Sequence, residues 1–501
     1  MLEGMSPRTD ADMNDALTDP ITDLDAHALS SAIHARSVSC REVMQAYLSR
    51  IHRVNPHFNA IVSLAPDDIL LVQADQCDNE LSEGQSRGFL HGMPQAIKDA
   101  ADAAGFVTSK GSPLLKDNLA GHDSLMASRM RAAGCIVIGK TNVPELGLGS
   151  HSFNRVFGTT LNAWDRTRTA GGSSGGAAVA LAQRLLPVAD GSDFMGSLRN
   201  PAAWNHVFGM RPSQGRVPRL PLAEVWINQL VTEGPMARTV RDLAALLSIQ
   251  AGHDAASPLS IAEGPRDFVP AADASLRGKR IAWLGDLGGH LALEPGIAAV
   301  CEQALRTMQA AGAIVEPMAH GFDADEVWQA WLLWRRALVA PNVASLLNTP
   351  GLSKAQARAE IKPEALWEYD QALSLSMTDF MAAAHVRTAF YQHLRGLLQG
   401  FDALALPAVQ VWPFEATLRW PQQINGRAMD TYHRWMESTI YATFAGLPAI
   451  SLPAGFDADG RLPMGLQLIG RPSGDAALLH LAAGYEAEAA ELLARRPPGV
   501  S

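Results

Sequence analysis

The sequence predicts an α/β layered fold. Between residues 90 and 250, short apolar runs alternate with stretches of helical period, as when strands and helices pack in layers. Hydrophobic residues make up 47% of the 501 positions and charged residues 18%, the balance of a globular chain with a large core. No internal repeat divides the chain.

The elements follow in order. Residues 1–20 are polar and acidic and are expected to form a disordered tail. Residues 23–54 read as helical, because Leu24, Leu29, Ile33, Val43, Tyr47 and Ile51 recur on shared faces. Gly92-Met93-Pro94 is a turn signal, and it feeds a short buried strand through Ala96-Ile97, where the following Lys98 would be desolvated. Cys135-Ile136-Val137-Ile138-Gly139 reads as a strand. Residues 177–186 are mostly apolar but too few to span a membrane, so they read as a core helix after a glycine-rich loop. Residues 240–249 read as a helix, 278–284 as a further strand and 296–313 as another helix.

Composition excludes several classes of function. The net charge of −10 argues against a nucleic-acid or membrane-surface role. Cys40, Cys77, Cys135 and Cys301 are widely spaced, with no C-x-x-C pattern and no dense disulfide framework, which suits a reducing, cytoplasmic compartment. The N-terminal stretch carries no apolar run of signal-peptide type, and no 18-residue apolar span is present. The fifteen histidines show no H-E-x-x-H spacing, so neither a metal site nor a cofactor is expected.

Three residues suggest a reaction. Ser173 lies in Gly171-Gly172-Ser173-Ser174-Gly175-Gly176, and Ser197 closes Gly191-Ser192-Asp193-Phe194-Met195-Gly196-Ser197. Lys98 follows the apolar pair Ala96-Ile97. A serine hydroxyl needs a neighbouring base to attack a carbonyl, and lysine serves as that base when burial keeps it neutral. Backbone N–H groups in a glycine-flanked loop can face the oxyanion of a tetrahedral intermediate. Standing alone, each piece has a plainer reading. Gly-Gly-Ser-Ser-Gly-Gly is more often a flexible loop, and a lysine after a strand is more often solvated. The loop also lacks the G-x-x-x-x-G-K-[ST] order of a phosphate cradle.

The pieces occur together and in order, inside longer text that resembles the amidase signature family. The matching stretches are 92–99, 139–146, 168–176, 191–202, 208–213 and 234–240, with a return at 445–449 and 462–470. Residues 37–62 read like the family's opening helix and turn, so the resemblance covers roughly 25–490. It implies a single α/β/α sandwich domain around a mixed β-sheet at 21–495, with 318–440 as the variable specificity segment.

Residue by residue, the resemblance implies Ser197 as nucleophile, Ser173 as a bridging serine after a cis peptide bond at Gly172, and Lys98 as general base. It implies an oxyanion hole from the backbone N–H groups of Phe194, Met195, Gly196 and Ser197. Ser174, Asp193 and Arg199 are expected as supporting partners. Gly147, Leu148, Trp328 and Trp331 are the candidate pocket residues. One departure stands out: the family usually has two glycines before the nucleophile, and here the pair is Met195-Gly196. A Cβ at 195 disfavours positive φ, and with Phe194 it is expected to narrow the pocket and make it more apolar.

The 318–440 segment holds seven of the eleven tryptophans. Trp328, Trp331 and Trp334 recur at three-residue spacing on one helical face, as core packing or as an aromatic wall over the site. Few charges interrupt 403–421, which disfavours a charged substrate tail, although Arg419 and Arg427 are at hand. The expected function is hydrolysis of apolar, often aryl, amides, with carbamates and esters within reach of the same chemistry. A glutamine-hydrolysing subunit of a tRNA-dependent amidotransferase is the alternative within the family, and a non-catalytic binding protein is the alternative outside it. The expected partner is a small-molecule amide, with a homodimer as the candidate assembly and no nucleic acid or membrane.

Overall fold

A computed structural model describes residues 19–264 and 266–500. Of the expected tail, 1–18 lie outside the described residues, while Asp19 caps a short helix at Pro20–Asp23. The helix expected over 23–54 is two helices, Ala26–His34 and Cys40–Val54. Arg36 between them has φ 55°, and Ser39 opens the second helix with a capping box to Glu42. Two local signals thus override a continuous apolar period.

Two sheets meet at the site. The smaller has three strands, β1 (Ile61–Val62), β2 (Pro94–Lys98) and β3 (Ile136–Thr141), in the order β1-β3-β2. The larger has eight: β4 (Val188–Asp193), β5 (Phe208–Arg211), β6 (Thr232–Ala237), β7 (Arg280–Trp283), β8 (Ile314–Pro317), β9 (Ala403–Pro407), β10 (Ala449–Phe456) and β11 (Pro463–Gly470). Their order is β8-β7-β9-β11-β10-β5-β6-β4. The β8-β7 and β7-β9 pairs are parallel and the rest antiparallel, so the sheet is mixed.

Alternation along the strands divides the core. On β9, Ala403 and Ala405 join one apolar cluster, while Leu404 and Leu406 join another with Trp204 and Phe444. Helices cover both clusters, as the layered reading requires. The two sheets are tied by a side chain: the Lys98 N–H donates to the Asp190 carboxylate of β4 at 3.1 Å. The end of β2 is thereby pinned beside the middle of β4, three residues before that strand gives way to the loop that carries Ser197.

The expected core helix runs Gly175–Ala182, with every residue buried. The 318–440 segment is mostly helical, with Ala324–Leu347, Pro363–Ala372 and Met377–Gly400 as its longer elements.

Candidate active site

Lys98 is the last residue of β2 and is 1% exposed. Its Nζ donates to Ser173 Oγ and Ser174 Oγ, each at 2.8 Å. Ser192 of β4 offers its Oγ at 3.0 Å and its carbonyl at 3.1 Å. Burial lowers the Lys98 pKa to about 7, against the opposing pull of Asp190, Asp193 and Glu233. A lysine so placed is neutral in a large fraction of molecules near neutral pH, and a neutral amine can take a proton. Burial also raises Asp190 to about 6 and Glu233 to about 7.

Ser173 follows a cis peptide bond from Gly172. Ser150 Oγ donates to the Gly172 carbonyl, and Asn200 Nδ2 donates to Ser150 Oγ at 3.0 Å. A Cβ at Gly172 would stand 3.0 Å from the Ser150 carbonyl carbon, so a side chain there would have to push the facing backbone back by a few tenths of an ångström. The Ser174 N–H donates to the Ser197 carbonyl at 3.2 Å, which ties the two serine loops together. Ser173 and Ser197 are 4% and 5% exposed.

The 194–197 loop joins β4 to the helix Arg199–Asn205. Asp193 organises it. Its Oδ1 accepts the Gly196 N–H at 3.0 Å and its Oδ2 the Leu198 N–H at 3.1 Å. Arg199 grips the same carboxylate with Nε at 3.0 Å and Nη2 at 2.9 Å, and Arg211 Nη1 donates to the Asp193 carbonyl at 2.6 Å. Burial alone would raise the Asp193 pKa, but Arg199 and Arg211 outweigh it and bring it to about 2. Ser174, Asp193 and Arg199, expected as supporting partners, thus lie within hydrogen-bond reach of Lys98 or of the 194–198 backbone or its anchor.

Of the four backbone N–H groups expected as oxyanion donors, one has a protein acceptor among the described residues. The Gly196 N–H is taken by Asp193, a carboxylate that Arg199 holds in place. The N–H groups of Phe194, Met195 and Ser197 have no protein acceptor among the described residues. Gly196 has φ +80°, and a Cβ there would lie 2.6 Å from Thr439 Cγ2, so only glycine fits. Met195 needs no such freedom, because it is not among the residues with positive φ.

Gly147 lies at the serine bridge, since a Cβ on it would stand 3.5 Å from Ser173 Oγ. Leu148 belongs to an apolar cluster that Phe194 also touches, together with Val343 and Leu347. Trp328 and Trp331 are fully buried on the helix Ala324–Leu347, and Trp334 is 7% exposed, so the three form no open lid. Trp331 meets the Phe194 ring at 5.5 Å, whereas Trp328 packs on His433 and under Arg434. Arg419 is paired with Glu364 at 2.6 Å, and Arg427 donates to the His290 carbonyl.

Sequence reasoning did not single out Ser192, Ser150, Asn200 or Asp190. Ser192 and Asn200 lie inside the matched 191–202 stretch, so the signal was present but unassigned. Among the described residues, one group has metal-ligand character, Cys77, Glu80 and His91. His91 Nδ1 accepts the Arg87 N–H at 3.2 Å, its Nε2 faces the Cys77 carbonyl at 3.0 Å, and Glu80 pairs with Arg87. Both ring nitrogens are thus already engaged.

Comparison with known proteins gives the family. The family model for amidases matches residues 42–479, a span that contains Lys98, Ser173 and Ser197. The chain belongs to the amidase family. As an amidase it is an enzyme that hydrolyses carbon–nitrogen bonds. It is 33% identical over 468 residues to an acylamidase of Rhodococcus erythropolis, covering 93% of this chain and 95% of that one. It is 34% identical over 472 residues to a glutamyl-tRNA(Gln) amidotransferase subunit of Thermosynechococcus vestitus, covering 89% of this amidase and 94% of the relative. A solved bacterial aryl acylamidase of the amidase signature family superposes with a TM-score of 0.88 at 30% identity, covering 96% of this chain and 100% of that chain.

Proposed function

We propose that this amidase hydrolyses apolar amides, with aryl amides preferred, through an acyl-enzyme on Ser197. One observation carries the reading: a buried lysine with a pKa lowered to about 7 stands 2.8 Å from Ser173 Oγ, beside a loop with free N–H donors.

In this mechanism neutral Lys98 accepts the Ser173 proton while Ser173 takes the proton of Ser197. The Ser197 Oγ bonds to the carbonyl carbon, and the carbonyl π electrons move to oxygen. The N–H groups of Phe194, Met195 and Ser197 stabilise that oxyanion. On collapse the C–N bond breaks, and the proton returns through Ser173 to the leaving nitrogen. Water then attacks the ester by the same relay, releases the acid and restores the Ser197 hydroxyl. Carbamates and esters present the same carbonyl to the same groups.

The substrate preference is supported by the apolar surroundings of Phe194, by Trp331 behind it, and by the acylamidase relatives. A second reading has its own support in the amidotransferase relative of similar identity, which would make glutamine the amide donor. The Phe194 ring beside the nucleophile fits a bulky apolar acyl or aryl group better than the polar glutamine side chain, while the Met195 side chain is buried against Arg335. The four cysteines are unpaired and buried, in keeping with a cytoplasmic enzyme.

A turnover screen over anilides, aliphatic amides, carbamates, esters and glutamine tests the assignment. Anilide turnover above glutamine turnover is expected. Glutamine hydrolysis that leads the series would overturn it in favour of the second reading.

A further inference from the structure

The side chains of Phe194 and Met195 both rest on a single guanidinium. Arg335 lies 140 residues beyond Met195, in the helix Ala324–Leu347. Its Nη1 donates to Met195 Sδ at 3.8 Å, and its guanidinium carbon stands 5.0 Å from the Phe194 ring centroid. A planar cation suits both contacts, since it can lie over an aromatic face and still donate in its own plane.

The guanidinium is itself held from two other elements. Its Nε donates to Glu368 Oε1 at 2.5 Å and its Nη2 to the Tyr432 hydroxyl at 2.6 Å. The Tyr432 hydroxyl donates in turn to Glu368 Oε1 at 2.7 Å, which closes a triangle of hydrogen bonds. The Arg335 and Glu368 side chains are 2% and 0% exposed. A buried ion pair of this kind is weak support for stability, because desolvation offsets most of the attraction. Its reach to two consecutive residues with free backbone donors points to another use.

We infer that Arg335 is a positioning residue for the loop that stabilises the oxyanion. Glu368 and Tyr432 fix the guanidinium, and the guanidinium fixes the side chains of Phe194 and Met195, so that their N–H groups keep one direction. Arg335 touches no reacting atom and acts through the loop. The Met195 sulfur supplies the acceptor that the arginine uses. The inference rests on the reading of 194–197 as the oxyanion loop.

The test uses Arg335→Lys, Tyr432→Phe and Met195→Leu in the full chain, with melting curves to establish folding. For each, kcat and KM are measured on one anilide, together with the inhibition constant of a trifluoromethyl ketone carrying the same acyl group. Arg335→Lys is expected to lower kcat by about 10- to 100-fold, the scale of a sub-ångström to 1 Å misplacement. KM should change little, and ketone affinity should fall in parallel with kcat. Tyr432→Phe and Met195→Leu should give smaller losses of the same pattern. A folded Arg335→Lys enzyme with wild-type kcat and ketone affinity would overturn the inference, as would a loss confined to KM. If Arg335→Lys does not fold, wild-type kcat and ketone affinity in the other two variants would overturn it. Failure of the underlying reading is seen separately, as turnover that survives Ser197→Ala.

Discussion

Lys98 Nζ stands 2.8 Å from Ser173 Oγ, although the two residues are 75 positions apart and arise from different elements. The contact exists because β2 ends against β4, where the Asp190 carboxylate accepts the Lys98 N–H. The same burial that makes the contact also lowers the lysine pKa to about 7.

Activity should therefore rise through about pH 7 as Lys98 loses its proton. The sign follows from the role: the charged form cannot accept the serine proton, so turnover is lost on the acid side. Glu233 is one of the groups that raise this pKa. Glu233 is itself raised to about 7, so its charge is only partly present on the acid limb, and Glu233→Gln should move that limb of kcat/KM slightly to lower pH. A limb that stays in place, or moves upward, would remove Glu233 from the electrostatics of the base.

Ser197→Ala and Lys98→Ala should each nearly abolish turnover, and Ser173→Ala should cost on the order of 10²-fold or more. Residues that act as one relay do not lose additively. The Lys98→Ala/Ser173→Ala double variant should fall little below the worse single variant. Peptide mapping after treatment with a fluorophosphonate should place the adduct on Ser197. An adduct on Ser173 would exchange the two roles.

The Asp193 clamp predicts a pH effect on stability. Arg199 and Arg211 hold the carboxyl at about 2, below its ordinary 3.8. A depressed carboxyl contributes stability that is fully present above the ordinary value and is lost as pH falls through about 2. Asp193→Asn should remove that part of the acid transition. It should also leave Arg199 and Arg211 buried without their charge partner, at a cost of about 3–5 kcal/mol. Chemical denaturation at pH 7 and at pH 3 measures both effects.

The tryptophans can be told apart by substitution. Trp328 and Trp331 are fully buried, so replacing either by alanine should cost about 3–5 kcal/mol in denaturant midpoint experiments. Only Trp331 touches Phe194, at 5.5 Å. Trp331→Leu should therefore change the ratio of kcat/KM between aryl and small aliphatic amides, and Trp328→Leu should leave it alone. Equal ratios in both variants would assign Trp331 to packing only.

The parts of the site that lie within continuous text could be read without a structure. The glycine-flanked serines, the lysine after an apolar pair and the alternation of 90–250 are local patterns, and local patterns report on turns, strands and faces. They gave the layered fold and marked Lys98, Ser173 and Ser197 as candidates, whose roles came only from the resemblance to the amidase signature family. The break between the first two helices was missed because a left-handed Arg36 and a capping serine outweigh the apolar period. What tertiary structure alone decided lies across long separations. The Met195 side chain meets Arg335, the Gly196 N–H is spent on a carboxylate that Arg199 and Arg211 hold, and Asn200 reaches the Gly172 carbonyl through Ser150. No sequence period reports such contacts. They are set by how helices of the 318–440 segment and the ends of two sheets pack together, and a buried polar group takes whichever partner that packing brings within reach.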